Sequence, residues 1–291
     1  MGICKSFIAL VSAILMSLGL ISVDTVDIGS VPPQTDGTVR VVSFNLRTAD
    51  DIYGSVKNRS AFVTQALKQY APDSFGVQEA NKRWLGYLDG ELSEKYARVG
   101  EGRDSSKNTE YSCVYYLKDK YNLLDSGTIW LSETPDKPGS KSFASSFPRI
   151  CTWAVLENKE TGTVYTHINT HLDHLLECTR QKQAEVLLKK VDELSQRGQV
   201  VLTGDFNTSE NSKTYNAVSS VLDDTRLTAV STESGKTFHN YGRGDLFHDS
   251  AIDFIFVTKG TEVASYHIMD NMANGMYLSD HYGLCSDIYF K

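Results

Sequence analysis

The chain has 291 residues, of which 41% are apolar, and its formal net charge is −7. This length allows one large domain or two small ones. The apolar share and the absence of long low-complexity tracts are typical of a globular core. An acidic chain without a Lys/Arg run argues against tight, nonspecific binding of nucleic acid, although it does not exclude a local basic groove.

Residues 1–23 are predicted to be a targeting segment. Lys5 supplies a short basic region and residues 6–23 then carry no charge, which is the pattern of a signal peptide or an N-terminal membrane anchor. No clear small-x-small cleavage site follows, so removal and retention both stay open. A myristoylated Gly2 with a palmitoylated Cys4 and a buried N-terminal helix are the alternatives. We expect a secreted or extracytoplasmic protein that can associate with a membrane through this segment.

Residues 24–38 contain Gly29, Gly37 and the pair Pro32–Pro33, a composition that predicts a flexible linker. After this linker we expect one domain, residues 39–291, because neither an internal repeat nor a second type of composition appears there.

The first half of this domain is predicted to alternate strands with two helices. In order, the predicted elements are a strand at 39–46, an amphipathic helix at 58–71 that ends before Pro72, a strand at 73–79, a short helix at 81–88, and strands at 110–117 and 122–130. Residues 118–120 suit a tight connection between the last two strands. A long loop at 132–148 precedes a strand at 150–156, and such a loop is uncommon in a compact domain unless it is used for something.

The second half continues with more strands than helices. The predicted elements are a strand at 163–170, a long helix at 175–194, and strands at 200–203, 252–257, 263–268 and 284–290. Some strands are joined by hairpin-length turns and others by helices. That mixture implies an α/β (α+β) fold of mixed sheets with helices covering their outer faces.

Four cysteines follow the leader, and they allow up to two disulfides in an exported domain. Cys113, Cys151 and Cys285 lie in apolar, strand-like runs, where a cysteine often behaves as a small buried hydrophobe. The spacing of the cysteines is not that of a zinc site. Free buried thiols are therefore favoured.

Polar residues recur at the ends of the predicted strands. There are six such clusters: Asn45; Glu79; Asn169 with His171; Asp205 with Asn207; Asp253; and Asp280 with His281. In an extended segment Asp205 and Asn207 point to the same side, although an ordinary polar turn explains them equally well.

Asp253 stands in an otherwise apolar run, where a carboxylate costs several kcal/mol if it is buried without a partner. A histidine is a natural partner, and an Asp253–His281 pair would fix the imidazole tautomer of a general base. The alternative is a turn-capping Asp253 and a surface His281. Glu79 and Asn45 offer oxygen ligands of the kind that hold Mg²⁺, but a plain strand-end carboxylate also explains Glu79.

Six motifs along the chain resemble, in sequence and in order, those of the endonuclease/exonuclease/phosphatase superfamily, which includes the pancreatic deoxyribonucleases. The motifs are Ser43-Phe44-Asn45, Gln78-Glu79, Asn169-Thr170-His171-Leu172, Gly204-Asp205-Phe206-Asn207, Ile252-Asp253 and Ser279-Asp280-His281. The resemblance spans residues 39–291 and is greatest to uncharacterised exported bacterial members, through 131–135, 147–149 and 237–239. It implies a DNase I-like, four-layer sandwich of two packed mixed β-sheets flanked by helices.

The resemblance also implies roles for the residues at the strand ends. Glu79, assisted by Asn45, would hold Mg²⁺ or Mn²⁺, and Asp280 would join a second metal in some members. His281, oriented by Asp253, would activate or position the attacking water. Asp205 and Asn207 would hold the nucleophile and the scissile phosphate, and His171 would donate a hydrogen bond to a phosphate oxygen.

Further histidines and one arginine have weaker signals. Arg149 could clamp phosphate or be a solvated loop arginine, and His239 could line the substrate site or be structural. For Asp173 and His174 we favour the start of the following helix, and His167 is expected to be structural. Substrate specificity is expected to lie in the loops at 132–148 and 235–249.

These observations predict a divalent-metal-dependent phosphoesterase that cleaves a P–O bond with water and acts as a monomer. A nuclease or another phosphodiesterase is placed slightly ahead of a monoesterase acting on a sugar or inositol phosphate. A sphingomyelinase-like lipid phosphodiesterase would need an exposed apolar hairpin, and the sequence shows no clear one. A non-catalytic binding protein that kept the fold is the remaining alternative.

Overall fold

The computed structural model describes residues 29–244, 250–270, 272–273 and 275–291, together with residues 10, 11, 14 and 15. The predicted leader, residues 1–23, therefore lies almost wholly outside the described residues, as does the end of the predicted specificity loop at 245–249. Within the described ranges, none of the helices combines the length and the apolar character that crossing a membrane requires.

Two large sheets make up the centre of the molecule. Numbered along the chain, the first sheet has the order Ser231–Thr232 (β10), Val263–Ile268 (β12), Leu284–Ile288 (β15), Val39–Asn45 (β1), Ser74–Ala80 (β2), Tyr111–Leu117 (β4) and Tyr96–Val99 (β3). The second has the order Tyr121–Trp130 (β5), Ile150–Asn158 (β6), Val164–His171 (β7), Gln199–Asp205 (β8), Asp253–Thr258 (β11) and Leu222–Asp224 (β9). A short ribbon pairs Met272–Ala273 (β13) with Met276–Tyr277 (β14).

Both sheets are mixed, as predicted. In the first, β1 runs parallel to β2 and antiparallel to β15. In the second, β7 runs parallel to β8, while β8 and β11 are antiparallel. The ends of β1, β2, β7 and β8 and the start of β11 therefore carry the polar clusters.

Helices cover the outer face of each sheet. On the first sheet lie Val56–Tyr70 (α1) and Lys82–Leu92 (α2), whose buried residues share one apolar core with β1 and β2. Residues of Glu177–Ser195 (α3) and Lys213–Ser219 (α4) share a second core with β7 and β8, and a short helix, Thr225–Thr228 (α5), follows β9. A third apolar core, containing Val41, Val201 and Ile255, lies between the sheets. The four-layer sandwich is confirmed.

Local chemistry explains where the helices begin and end. The Ser55 hydroxyl accepts a hydrogen bond from Asn58 N at 3.2 Å and caps α1, which stops at Ala71 in the left-handed conformation just before Pro72. The predicted helix at 175–194 begins two residues later than expected, at Glu177. Asp173 Oδ1 accepts a hydrogen bond from Leu175 N at 3.0 Å and so holds the chain in a turn there.

Several local expectations differ from the structure. The connection at 118–120 is tight, but β4 and β5 belong to different sheets and do not pair with each other. The predicted linker is not free from its surroundings at its C-terminal end, because Gln34 donates to Asp73 Oδ2 at 3.1 Å and Thr35 N donates to Asp287 Oδ2 at 3.0 Å. Both carboxylates are buried and need such donors.

Polar side chains also join the two sheets. His167, which is fully buried, contacts Ser74 Oγ in the first sheet at 2.8 Å and Thr203 Oγ1 in its own sheet at 2.9 Å. Asn169 accepts a hydrogen bond from Gln78 at 2.7 Å. A Cβ at Gly76 would collide with both Thr203 and Asn169, so glycine is required for this close approach. The structural role expected for His167 is confirmed, and these bonds hold the strand ends of both sheets together.

Cysteine residues 113, 151 and 285 are buried and free, as predicted, whereas Cys178 is exposed and free.

Candidate active site

One cleft, with a cavity volume of about 400 Å³, lies at the strand ends where the two sheets meet. Its lining includes Arg47, Thr48, Glu79, Arg103, Glu110, Phe147, Arg149, His171, His174, Asp205, Asn207, Phe238, Asp280 and His281. Seven of these were predicted from the sequence. Three further strand-end residues lie outside the lining: Asn45 and Asp253 hydrogen-bond to members of it, and Asn169 bonds to Gln78 between the sheets.

Glu79 is presented to the cleft by an irregularity in β2. The pairing of β2 with β4 shifts register between Val77 and Ala80, and Glu79 has a φ of 57°. Its carboxylate accepts hydrogen bonds from Thr48 N at 2.9 Å and from the Asn45 amide at 3.2 Å. Burial raises the pKa of Glu79, but the Thr48 hydrogen bond and the positive charge of His281 outweigh it, so the pKa is lowered.

The same Asn45 amide donates to Asp205 Oδ2 at 2.9 Å and therefore ties the two halves of the site together. Asp205 and Asp253 lie opposite each other in the β8–β11 pair. Burial and the Asp253 charge raise the pKa of Asp205 to about 7. At neutral pH this carboxyl group is thus close to its own titration.

Asp253 and His281 form the expected pair. His281 Nδ1 lies 2.9 Å from Asp253 Oδ2, and both side chains are buried, which excludes a surface His281. Asp253 Oδ1 has no hydrogen-bond partner among the described residues. Burial lowers the pKa of His281, but Asp253 and Asp205 outweigh burial and raise the pKa to about 10. His281 Nε2 faces Asp205 Oδ2 at 3.8 Å.

His171 and Asn207 contact each other beside Asp205. Asn207 Nδ2 lies 3.1 Å from Leu172 O and 2.9 Å from His171 Nε2, so the amide donates to both. His171 Nε2 is then an acceptor, and donation from this atom to a phosphate oxygen would require the bond to Asn207 to break. Burial and the charge of Arg149 lower the pKa of His171, which keeps the ring neutral.

Arg149 lies in the cleft and is only 5% exposed, so it is not a solvated loop residue. Its carboxylate neighbour Asp173 is 4.0 Å away, and its Nε has no hydrogen-bond partner among the described residues. Burial and the nearby Arg103 lower the pKa of Arg149. The guanidinium is therefore a buried cation that is poorly neutralised by the protein itself.

His239 lies outside the cleft lining. Its ring stacks on Tyr277, with centroids 5.1 Å apart, and faces a neighbouring hollow with Tyr282. Its neighbour Phe238 lines the cleft instead, with its ring centroid 4.9 Å from that of His281. Residue alternation in an extended segment explains why only one of the two side chains reaches the cleft.

Sequence reasoning missed several lining residues. Arg103 and Glu110 have no strand-end motif around them, Arg47 lies two residues beyond the first motif, and Phe147 belongs to the 147–149 motif but was not assigned to the site. His174 was assigned to the start of a helix. In the structure His174 is exposed beside Phe147, with ring centroids 6.2 Å apart, and Asp173 is fully buried and holds the loop at 132–148. The length of the loop at 132–148 was a sequence signal that this loop takes part in the site.

The carboxylates of the cleft fit a divalent cation. Burial raises the pKa of Asp280, and the Glu79 charge raises it further, because two like charges face each other there. A cation would relieve this repulsion, and carboxylate and amide oxygens suit Mg²⁺ or Mn²⁺. Asp205, Asp253 and His281 also have ligand atoms within 4.8 Å of one another. In that cluster His281 Nδ1 already bonds to Asp253.

Comparison with known proteins gives one family and several similar structures. The family model described as "Endonuclease/Exonuclease/phosphatase family" matches residues 42–281. An endonuclease/exonuclease/phosphatase from Bacteroides vulgatus is 34% identical, with a TM-score of 0.80, and the alignment covers 87% of this chain and 99% of that one. No curated protein sequence matches this chain.

Two further structures are similar. The mannosyl-6-phosphatase Bt3783 of Bacteroides thetaiotaomicron is 30% identical, with a TM-score of 0.79 and coverage of 86% of this chain and 99% of that one. The catalytic domain of human nocturnin, solved with a bound sulfate anion, is 18% identical, with a TM-score of 0.69 and coverage of 89% and 97%. At that identity the second likeness concerns the fold alone.

Proposed function

Because this chain belongs to the endonuclease/exonuclease/phosphatase family, and is a phosphate-ester hydrolase as its family members are, we propose that it removes a terminal phosphate group from a small hydroxylated alcohol such as a sugar phosphate. The similarity to a mannosyl-6-phosphatase supports this choice. A cleft of about 400 Å³ is also of the size that takes a small molecule.

The observation that carries the proposal is the state of Arg149. A buried guanidinium whose carboxylate neighbour is 4.0 Å away, and whose Nε has no hydrogen-bond partner among the described residues, gains most from an anionic ligand with two charges and three free oxygens. A phosphate monoester carries that second charge, whereas a diester has one charge and two free oxygens. Arg149 therefore favours the monoester over the diester.

The remaining residues account for attack by water. Asp253 holds His281 through Nδ1, so Nε2 faces the cleft and Asp205. Because the pKa of His281 is raised to about 10, its ring is already protonated at neutral pH, and Asp205 Oδ2, whose carboxyl pKa is raised to about 7, is the group that takes the proton of the attacking water. His281 Nε2, 3.8 Å away, supports the charge of that carboxylate. Asn207 positions Asp205 by donating its backbone N–H to Oδ1 at 2.9 Å.

Glu79, Asn45 and Asp280 would hold Mg²⁺ or Mn²⁺ at the other side of the phosphate. A divalent cation in this position screens the charge of the phosphoryl oxygens. Arg47, whose Nε lies 3.6 Å from Asp280 Oδ2, limits the negative charge that these carboxylates place in the cleft.

This proposal ranks the monoesterase, which the sequence placed second, ahead of the phosphodiesterase and the nuclease. The sequence preference rested on motifs that serve both reactions, whereas the pairing of Arg149 became visible only in the structure. The lipid phosphodiesterase is ranked lower as well, because its substrate is a diester and the state of Arg149 favours a monoester.

The test compares kcat/KM on mannose 6-phosphate and p-nitrophenyl phosphate with that on bis-p-nitrophenyl phosphate and single-stranded DNA, in Mg²⁺ or Mn²⁺ and after EDTA. Monoesters are expected to be preferred, and EDTA to abolish activity. Arg149→Met should lower kcat/KM by about 10²-fold on monoesters, since it removes hydrogen bonds to a charged group, and by less on the diester.

Arg149→Lys is the matched variant, because it keeps the charge but loses the planar fork; it should retain part of the monoester activity. Circular dichroism of each variant establishes that the fold is intact. A wild-type preference for the diester or for DNA, or an equal loss on both substrate classes in Arg149→Met, contradicts the proposal.

A further inference from the structure

His174 has an unexpected position. Instead of beginning a helix, it is exposed at the rim of the cleft, beside Phe147, which is 45% exposed. Asp205 and His281, which are assigned to the attacking water, are buried at the floor of the same cleft. Because the attacking and leaving oxygens are in line across the phosphorus atom, attack from the floor directs the alcohol portion towards the rim, where His174 lies.

Contact with Arg149 determines which ring nitrogen of His174 carries the proton. Arg149 Nη2 lies 3.2 Å from His174 Nδ1, and a guanidinium can only donate hydrogen bonds. Nδ1 is consequently the acceptor, and the proton of the neutral ring is on Nε2. Ser146 Oγ lies 3.4 Å from the same Nδ1 but gives its proton to Asp173 Oδ2, at 2.5 Å. Burial and the Arg149 charge lower the pKa of His174, which agrees with a neutral ring.

The backbone just before His174 is held at both the N–H and the C=O of Asp173. Asp173 N donates to Gln183 Oε1 at 2.9 Å, and Arg180 Nη1 donates to Asp173 O at 2.9 Å. Gln183 in turn donates to Ser145 Oγ at 3.0 Å, on the loop that carries Phe147. With its backbone held here, its Nδ1 bonded to Arg149 and its ring stacked on Phe147, His174 presents an oriented N–H donor.

We propose that His174 is a specificity-determining residue, which donates a hydrogen bond from Nε2 to a hydroxyl oxygen of the leaving alcohol. Hydroxylated alcohols, such as a hexose esterified at one primary hydroxyl, are then favoured over plain alkyl esters. The inference rests on the proposed function, since it assigns the alcohol portion of the same substrate.

Two substitutions separate the two ring nitrogens. His174→Asn keeps an acceptor near the position of Nδ1 for Arg149 but removes the donor at Nε2. His174→Gln can place its amide N–H close to the position of Nε2. The measured quantity is the ratio of kcat/KM on mannose 6-phosphate to kcat/KM on ethyl phosphate, whose alcohol has no other hydroxyl. Inhibition by inorganic phosphate reports whether the phosphate site is preserved.

The wild-type ratio is expected to exceed 1 clearly. His174→Asn should lower it about tenfold, the loss expected for one hydrogen bond, with little change in inhibition by phosphate, whereas His174→Gln should keep most of the ratio. An unchanged ratio in His174→Asn, or equal losses in Asn and Gln, overturns the inference.

If the proposed function is wrong, the wild-type protein hydrolyses diesters and no monoester, and this result differs from an unchanged ratio in His174→Asn. In that case the same ratio is measured with the methyl ester of glucose 6-phosphate and with diethyl phosphate. A drop in the ratio for His174→Asn alone would support the assignment of His174, and an unchanged ratio would overturn it.

Discussion

At the scale of single residues, the site depends on the carboxylate of Asp253, whose burial is unfavourable in free energy. Asp253 uses one oxygen for His281 and leaves the other without a partner among the described residues. Its backbone N–H is held by Thr237 Oγ1 at 3.0 Å, so the carboxylate cannot turn away easily. Groups left in such a state in a native fold usually have a functional reason.

Asp253→Asn is expected to lower kcat by about 10²–10⁴-fold, because the amide no longer supports a protonated His281. Steady-state hydrolysis of p-nitrophenyl phosphate measures the effect. Asp224→Asn is the matched control: Asp224 is also a buried aspartate, but it caps α5 by accepting a hydrogen bond from Arg226 N at 2.9 Å. That control should reduce stability with little change in kcat. A kcat for Asp253→Asn within tenfold of wild type would remove Asp253 from the mechanism.

At the scale of elements, a loop without regular structure reaches the cleft because α3 and β7 hold it. Asp173 Oδ2 accepts hydrogen bonds from Ser145 Oγ at 3.0 Å and from Ser146 N at 2.8 Å. Burial raises the pKa of Asp173, but the hydrogen bonds from Ser146 outweigh it and lower the pKa to about 2. Thr179 on α3 adds a bond to Phe143 O at 2.6 Å.

Asp173→Asn should lower the free energy of unfolding by about 2–3 kcal/mol, since a buried acceptor of several hydrogen bonds becomes a donor on one side. Inhibition by inorganic phosphate should also weaken, because Arg149 loses its support. Urea denaturation and inhibition kinetics measure the two effects. Asp192→Asn, at an exposed position of α3, should change neither. If Asp173→Asn equals wild type in both assays, this anchor is not what holds the loop.

At the scale of the whole molecule, the two sheets are joined through a polar layer as well as an apolar one. His167 bridges Ser74 in one sheet and Thr203 in the other, and burial lowers its pKa to about 3. The unfolded chain binds a proton at this histidine near pH 6.5, whereas the folded chain does not. The contribution to stability is therefore present above that pH and is lost as the pH falls towards 3.

His167→Gln should flatten the decline of unfolding free energy between pH 6 and pH 4 by about 1.4 kcal/mol per pH unit. Urea denaturation gives the free energy of unfolding of wild type and variant at each pH. The contributions of the other histidines are the same in both proteins and cancel in the difference. Parallel pH curves for wild type and His167→Gln would show that this buried ring does not cause the acid sensitivity.

Most of the elements, and half of the residues that line the cleft, could be predicted from the sequence. Periodicity located the main strands and three helices, and polar residues at strand ends marked Glu79, Asp205 and His281. Short elements such as β3 and α5 were missed because four residues do not show a period. Whether the N-terminal segment is a leader stays a prediction.

What local patterns could not decide depended on contacts between residues far apart in the chain. The separation of β4 and β5 into different sheets follows from strand order, which periodicity does not encode. The burial of Arg149, the donor tautomer of His174 and the position of His239 outside the cleft all follow from how the loop at 132–148 and the segment around Phe238 pack. The contacts of these side chains, and therefore their protonation states and their positions in the cleft, are established only when the two sheets pack together.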